Sequence, residues 1–395
     1  MVLLLAGSSA GRDDYATTAI SEVGSVCYHG ISIKPGKPAI LGLSKNKPIL
    51  GIPGYPASGV VVLEKIVKPI IELATKNNLN RENSIQATVS RQINSSLKYE
   101  ETIRVTLGNV NNKIIATPLN RGAGVVTSLV KSDGTITIDQ NSEGLEAGGK
   151  INVKTGLTKE DINNILLVIG SHDPVIDELA NLLHGKNSKY RISSSHVGSM
   201  GAIMAAKRQE MHMGGTHLLN EDTGVYNKSY IEKYLNSKEV SLVECVYRKQ
   251  GIIVAKGNPK KIKGFNDITR EDIVFVNRQK GSGTRILNDY ICKQNCIDPE
   301  EIYGYGHEEF THSSLATQIY SGSADAGTGI YSAAKMYDLD FIDICEEQYD
   351  LLIPNYALEL PQVKLVLEIL QSKEFANKVK SLGGYRLENP GKIRN

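Results

Sequence analysis

Charge of one sign is not in excess here: lysine and arginine number 45 against 43 aspartate and glutamate, a formal charge of +2. Near balance argues against nucleic acid or a membrane surface as the main partner, since both recruit a strong basic excess. Cysteine is scarce and odd in number, with Cys27, Cys245, Cys292, Cys296 and Cys345 scattered over 395 residues. That excludes a secreted disulfide framework and points to a reducing compartment. Cys292 and Cys296 lie one helical turn apart. With no second Cys or His pair near them, they read as two buried thiols on a helix face rather than half of a metal site. Long apolar runs are absent too. The opening Met1-Val2-Leu3-Leu4-Leu5-Ala6 lacks a basic flank and is too short for a signal peptide, and no later run approaches a membrane span. The expectation is a soluble, cytoplasmic protein. Internal repeats and low-complexity tracts are also missing.

What is present is ordinary globular material, 41% apolar and 22% charged, on a chain longer than one core usually serves, so two or three domains are expected. From Met1 to about residue 80 the grammar is strand–loop–helix, twice over. Val2-Leu5 reads as a strand buried on both faces, followed by a Gly/Ser loop and a helix around Tyr15-Val23. Pro48-Ile52 reads as a second strand, followed by a helical pattern through Val60, Val61, Leu63, Val67 and Ile71. Over 81–156 the period shifts to two, as Ile103, Val105 and Leu107 alternate with Arg104 and Thr106. Asn111-Asn112, Asp133-Gly134 and Gly148-Gly149 mark turns, so this reads as a small all-β domain. A linker spans Thr158-Asn164. From about residue 160 to the end the α/β grammar returns, opening with strand Ile165-Ile169 and a helix N-capped by Asp173 with Pro174 at its first position.

Three loops of the first block sit where α/β sheets place ligands. Gly7-Ser8-Ser9-Ala10-Gly11 offers bare amides and hydroxyls to an anion. Lys34-Pro35-Gly36-Lys37-Pro38 holds two ammonium groups on a loop stiffened by proline, which suits phosphate or an oxyanion. Gly51-Ile52-Pro53-Gly54-Tyr55-Pro56 ends the second strand.

Together with Arg12-Asp13-Asp14-Tyr15, and with Arg121-Gly122-Ala123-Gly124 and Ser142-Glu143-Gly144 in the β unit, these motifs resemble the molybdopterin molybdotransferase family of the MoeA and gephyrin E-domain type. The likeness covers about Met1 to Lys154. It implies insertion of molybdate into adenylylated molybdopterin in a Mg²⁺-dependent step, and a homodimer. Asp14, Lys34, Lys37, Pro53 and Pro56 match the family's site, with Asp14 as the Mg²⁺ residue. Gly7, Ser8, Ser9 and Gly11 would hold the pterin or its phosphate. Two departures stand out. The first loop lacks the family's usual Gly-Gly, and the family's N-terminal domains, with half of its pterin-binding domain, are expected to be missing.

Beyond residue 160, helix N-termini recur with Gly and hydroxyl residues. The runs are Gly170-Ser171-His172, Gly198-Ser199-Met200-Gly201 and Gly281-Ser282-Gly283-Thr284-Arg285. Several in one domain favour convergence on an anion. Gly170-Ser171-His172-Asp173, Gly214-Gly215-Thr216-His217, Gly281-Ser282-Gly283-Thr284-Arg285 and Ala324-Asp325-Ala326-Gly327 resemble the type II periplasmic-binding-protein-like domains, which are two-lobed with a cleft between; the second lobe is expected at about 250–350. Ser171, His172, Ser199, Thr216, Ser282, Gly283, Thr284 and Arg285 are the expected ligand residues. His217 and His312 are further candidates for the cleft wall. His307 and His312 are five apart and cannot share a helix face as a zinc HExxH motif does.

The fold expected is therefore multidomain α/β: a partial molybdopterin-binding α/β domain, a small all-β domain and a two-lobed periplasmic-binding-protein-like α/β domain. The function expected is molybdenum cofactor biosynthesis, with molybdopterin and molybdate as substrates and a C-terminal module for an oxyanion or other small ligand. The alternative is an intracellular binding or sensing protein for molybdate, tungstate or a cofactor precursor, with an inactive transferase part.

Overall fold

A computed structural model describes residues 1–6, 15–79, 83–122, 124–220 and 223–394. The chain divides into two compact units, Met1–Ile162 and Asn163–Asn395.

Among the described residues the first unit holds two larger sheets and a two-stranded one, Ile93–Asn94 with Gly144–Leu145. The smaller of the two larger sheets runs in the order Val2–Leu5, Lys47–Ile52, Ile40–Ser44, Ser25–His29, with the first pair parallel and the others antiparallel. Helix Ala16–Val23 packs Ala16 and Ile20 on Ile40 and Ile49. The second helical stretch, begun by Pro56 at its first position, runs to Thr75 through a short π segment at Leu63–Val67. The Val2-Leu5 run departs from the expectation of a strand buried on both faces. Among the described residues it is an edge strand whose Val2, Leu3 and Leu5 are exposed, because it pairs there on one side only and Leu4 alone reaches the Ile20 core.

In the larger sheet, strands Gly134–Ile138, Lys150–Thr155, Asn83–Val89, Lys113–Pro118 and Glu100–Val110 follow one another. Gly134–Ile138 also pairs with Glu100–Val110, so the sheet closes on itself. Closure removes the free edges of a small β unit. Its alternating residues Ile103, Val105 and Leu107 fill the core with Val89, Ala116, Ile136 and Val153. Ile33–Lys34 adds to this sheet beside Glu100–Glu101, so Lys34 sits on the β unit rather than on the smaller sheet. The expected linker contains a short helix, Lys159–Asn163, at whose start Thr158 and Asp161 bond reciprocally.

The second unit is built around two fifteen-residue antiparallel strands, Val240–Val254 and Asp340–Pro354. One half of this pair packs Val243, Val246, Leu351 and Ile353 against helices Pro174–Lys186, Pro361–Leu370 and Lys373–Leu382. The other half packs Ile252, Ile253 and Val254 into two further cores with Phe275, Ile268, Val276 and Leu315. Between these cores the strands carry Arg248, Gln250 and Glu347, all buried. The two lobes thus share their central strands, and polar residues occupy the crossing. Cys296 departs from expectation: helix Gly283–Gln294 ends before it, and it is exposed with φ +54°, while Cys292 is buried.

Candidate functional site

In the first unit, Gly7, Ser8, Ser9, Gly11 and Asp14 lie outside the described residues. The turn Pro53-Gly54-Tyr55-Pro56 stands beside the end of the first strand. Ala6 donates to the Ile52 carbonyl at 2.9 Å, and a Cβ on Gly54 would lie 3.2 Å from that of Ala6. Gly36, buried with φ +117°, lets the Lys34–Pro38 loop lie against Ile33 and Val62, where a Cβ would collide. Lys34 places Nζ 3.4 Å from Glu101, and Arg121 reaches the same carboxylate oxygen at 3.4 Å. The Glu101 side chain is 2% exposed. Glu101 was not picked out by the sequence reading, and it joins two of the motifs that were. Lys37 lies exposed, with Nζ 5.7 Å from the centre of the Tyr99 ring.

The second unit carries a denser arrangement. Arg248 and Glu347 face each other in register on the two long strands. Arg248 Nε donates to Glu347 Oε1 at 2.5 Å and Nη1 to Asp173 Oδ2 at 2.5 Å. Asp173 also caps its helix, accepting from the Val175 amide at 2.8 Å, and it receives the Tyr385 hydroxyl. Glu347 Oε1 accepts from Gln250 Nε2 at 2.6 Å, and Oε2 lies 2.9 Å from His217 Nδ1. His217 Nε2 in turn lies 2.8 Å from Ser171 Oγ. Gln250 Nε2 also reaches Thr284 Oγ1 at 2.9 Å. Glycine is required at 283, where a Cβ would fall 2.3 Å from His217 Nδ1 and 2.5 Å from its carbonyl oxygen.

Burial alone would raise the Glu347 carboxyl, but Arg248 beside it, with His217 and Gln250, holds it down at about 2. Burial lowers His217, and Arg248 lowers it further against the pull of Glu347. The ring is therefore neutral beside an ionised carboxylate, so its one proton sits on Nδ1 and Nε2 offers a lone pair. Arg278, at 1% exposure, is pushed down to about 9 by burial and then by Arg248, and stays charged at neutral pH. Its Nε and Nη2 donate to the carbonyls of Glu309 and Phe310, and Nη2 to Gln279. Among the described residues no carboxylate lies within ion-pair reach of it. Both oxygens of Asp173 and of Glu347 already accept hydrogen bonds, from Arg248, Tyr385, Val175, Gln250 and His217. Further polar atoms in this cluster are buried without partners: Arg248 Nη2, Gln250 Oε1, Thr328 Oγ1 and both ring nitrogens of His312. His312 heads helix His312–Tyr320 and is depressed first by burial, then by the positive charge of Arg278 and Arg248 and by His217 and His172. A buried cation with no ion-pair partner among the described residues, in a cluster that also leaves donors and acceptors unused, suits a polar, negatively charged guest.

Of the residues expected from sequence, the structure brings Ser171, Gly283 and Thr284 onto this network, with Ser199 Oγ accepting from the His217 amide at 3.1 Å. Thr216 turns to Asn227 at 3.1 Å. Ser282 caps its own helix, accepting from the Arg285 amide. His172 lies 3.2 Å from Asp177, has its ring tilted by 45° against that of His196, and keeps Nδ1 buried without a partner. Arg285 is directed elsewhere, to Asp289 at 3.0 Å and Glu308 at 3.4 Å, over the ring of Tyr305. Arg248, Gln250, Arg278 and Glu347 were missed. For Arg248, Gln250 and Glu347 the one signal in the sequence is a short polar stretch flanked by apolar residues within each strand, as in Tyr247-Arg248-Lys249-Gln250 before Ile252-Ile253.

Three family models match the chain in succession: a probable molybdopterin binding domain over residues 1–73, the MoeA C-terminal region (domain IV) over 86–155, and a PBP superfamily domain over 180–371. Uncharacterized protein YvgK of Bacillus subtilis is 37% identical over 198 residues, 50% of this chain and 64% of that protein. A putative molybdopterin biosynthesis protein of Methanocaldococcus jannaschii is 30% identical over 38% of this chain and 35% of its own length. A molybdopterin molybdenumtransferase of Haemophilus influenzae is 37% identical over 18% of each. The chain thus spans less than two thirds of each of these relatives. Among solved structures, a MoeA protein of Pyrococcus horikosii aligns at 30% identity and TM-score 0.31, over 37% of this chain and 35% of its own. A phosphate ABC transporter substrate-binding protein of Clostridium perfringens aligns at 16% identity and TM-score 0.44, over 57% of this chain and 100% of its own.

Proposed function

From a chain that joins molybdopterin-binding and MoeA C-terminal regions to a periplasmic-binding-protein-like domain, we propose a two-site protein of molybdenum cofactor biosynthesis. The first unit would take part in inserting molybdate into adenylylated molybdopterin. Lys34 and Lys37 would offset the charge of molybdate or of the pterin phosphate, with Pro53 and Pro56 walling the site. Gly7, Ser8, Ser9 and Gly11 would cradle the phosphate. Asp14 would be the Mg²⁺ residue. The second unit would bind a small anion: molybdate, tungstate or a phosphorylated cofactor precursor.

The observation that carries the reading is Arg278, a buried guanidinium with no carboxylate beside it among the described residues. A charge held this way costs the empty protein stability and suits a negative guest. One feature supports the second reading, a binding or sensing protein with an inert transferase part: Lys34 is already paired with a buried carboxylate.

Calorimetry on the full chain with molybdate, tungstate and phosphate tests both. Binding that is lost in Arg278→Met and kept in Lys34→Ala belongs to the second unit. Binding with the reverse pattern belongs to the first. No heat with any of the three anions sinks the anion-binding reading.

A further inference from the structure

The hydrogen-bond row through Ser171 fixes more than position. Glu347 is an acceptor only, and both its oxygens are in use, one of them facing His217 Nδ1. The single proton of a neutral His217 therefore lies on Nδ1, and Nε2 can only accept. Its neighbour at 2.8 Å is Ser171 Oγ, so the serine proton is committed to the imidazole. No described group donates to Ser171 Oγ, whose remaining lone pairs are buried and unused. Gln250 Oε1 and one ring nitrogen of neutral His312 are buried acceptors in the same state. A site lined only to take a bare oxyanion would present donors throughout. This one mixes cationic donors, Arg278 and Arg248 Nη2, with acceptors that such an anion would leave unmatched.

We propose that Ser171 meets the ligand as a hydrogen-bond acceptor and thereby selects an anion that still carries a proton, a hydrogen phosphate or phosphomonoester, over fully deprotonated tetraoxoanions such as sulfate and molybdate. His217 and Glu347 are positioning residues in this scheme, since they act by holding the serine proton inward. The proposal rests on the anion-binding reading of the second unit and narrows its ligand.

The test is calorimetry of the full chain near neutral pH with inorganic phosphate, sulfate and molybdate, repeated on Ser171→Ala. A site built around a ligand proton rejects the isostere that lacks it strongly, so phosphate should bind at least about a hundred-fold more tightly than sulfate or molybdate. Ser171→Ala removes the acceptor while leaving the cations. Phosphate should weaken about ten-fold or more and sulfate should not, so the preference narrows. Sulfate or molybdate matching phosphate in the native protein overturns the proposal but leaves the anion site intact. An undiminished preference in a Ser171→Ala protein that melts normally also overturns it. If that variant does not fold, the native ratio alone decides. Failure of all three anions to bind removes the anion site and this proposal together.

Discussion

Replacing Arg278 by methionine separates a functional charge from a structural one. Its guanidinium is lowered from 12.5 to about 9, burial first and Arg248 second. For a base, a lower value in the fold means that the unfolded chain holds the proton more readily, so the charge opposes folding at every pH below about 9. The drop corresponds to about 5 kcal/mol. Against this, Arg278 donates to the Glu309 and Phe310 carbonyls and to Gln279, contacts of about 1 kcal/mol each. Methionine fills similar space without the charge. The expected net change in the ligand-free protein lies between zero and a gain of about 2 kcal/mol, or a few degrees in melting temperature. Anion affinity should fall about ten-fold to a hundred-fold, the worth of a charge-assisted contact. Urea unfolding and calorimetry on the same preparation read both quantities. A loss of several kcal/mol in stability with anion affinity unchanged would mean that Arg278 is scaffold, and the reasoning fails.

Two further outcomes follow from the same network. Gly283→Ala puts a methyl group 2.3 Å from His217 Nδ1, so the helix start or the ring must shift. Stability should fall by about 1–3 kcal/mol, with anion binding lost, and a variant that melts and binds normally would show that the row tolerates displacement. Glu347, lowered from 4.5 to about 2, stabilises the fold above pH 4.5 and loses that contribution, roughly 3 kcal/mol, as pH falls from 4.5 towards 2. Denaturation midpoints between pH 6 and 3 should drop less steeply in Glu347→Gln than in the native protein.

The helix entrances were legible because their signals are local. Asp173 before Pro174 accepts from the Val175 amide, and Ser282 accepts from the Arg285 amide, as such residues do at N-caps. The site's charges were not legible, because they are made by pairing across the chain. Arg248 meets Glu347 across 99 residues and Asp173 across 75, and a charge within a strand cannot be assigned a face until its register is known. Arg285 has a local partner that its motif does not reveal. It looked like the anion's arginine because it follows Ser282-Gly283-Thr284. Yet Asp289 stands four residues on, the spacing at which helical side chains meet, and takes it. In the first block, the continuous run Val2-Leu5 carries the signature of a central strand but occupies an edge among the described residues. A strand's burial depends on what packs beside it, and an apolar run cannot specify that.

The charge inventory of the second unit bears on what it can hold. Arg248 and Arg278 supply two positive charges, Asp173 and Glu347 two negative, and His217 and His312 are both depressed by burial towards the neutral form. The buried set is therefore balanced in sum and divided in space, with both carboxylates bonded to Arg248, while Glu347 and Glu309 attract Arg278 without pairing with it. An anion placed at Arg278 pairs locally but adds net negative charge to a buried cluster, and only helix N-termini and neutral donors remain to offset it. Each further charge costs more than the last. That favours the less ionised member of any oxyanion series, the same preference that Ser171 imposes through its fixed proton. Charge balance and hydrogen-bond direction are independent properties of the site, and both disfavour bare molybdate in the second unit.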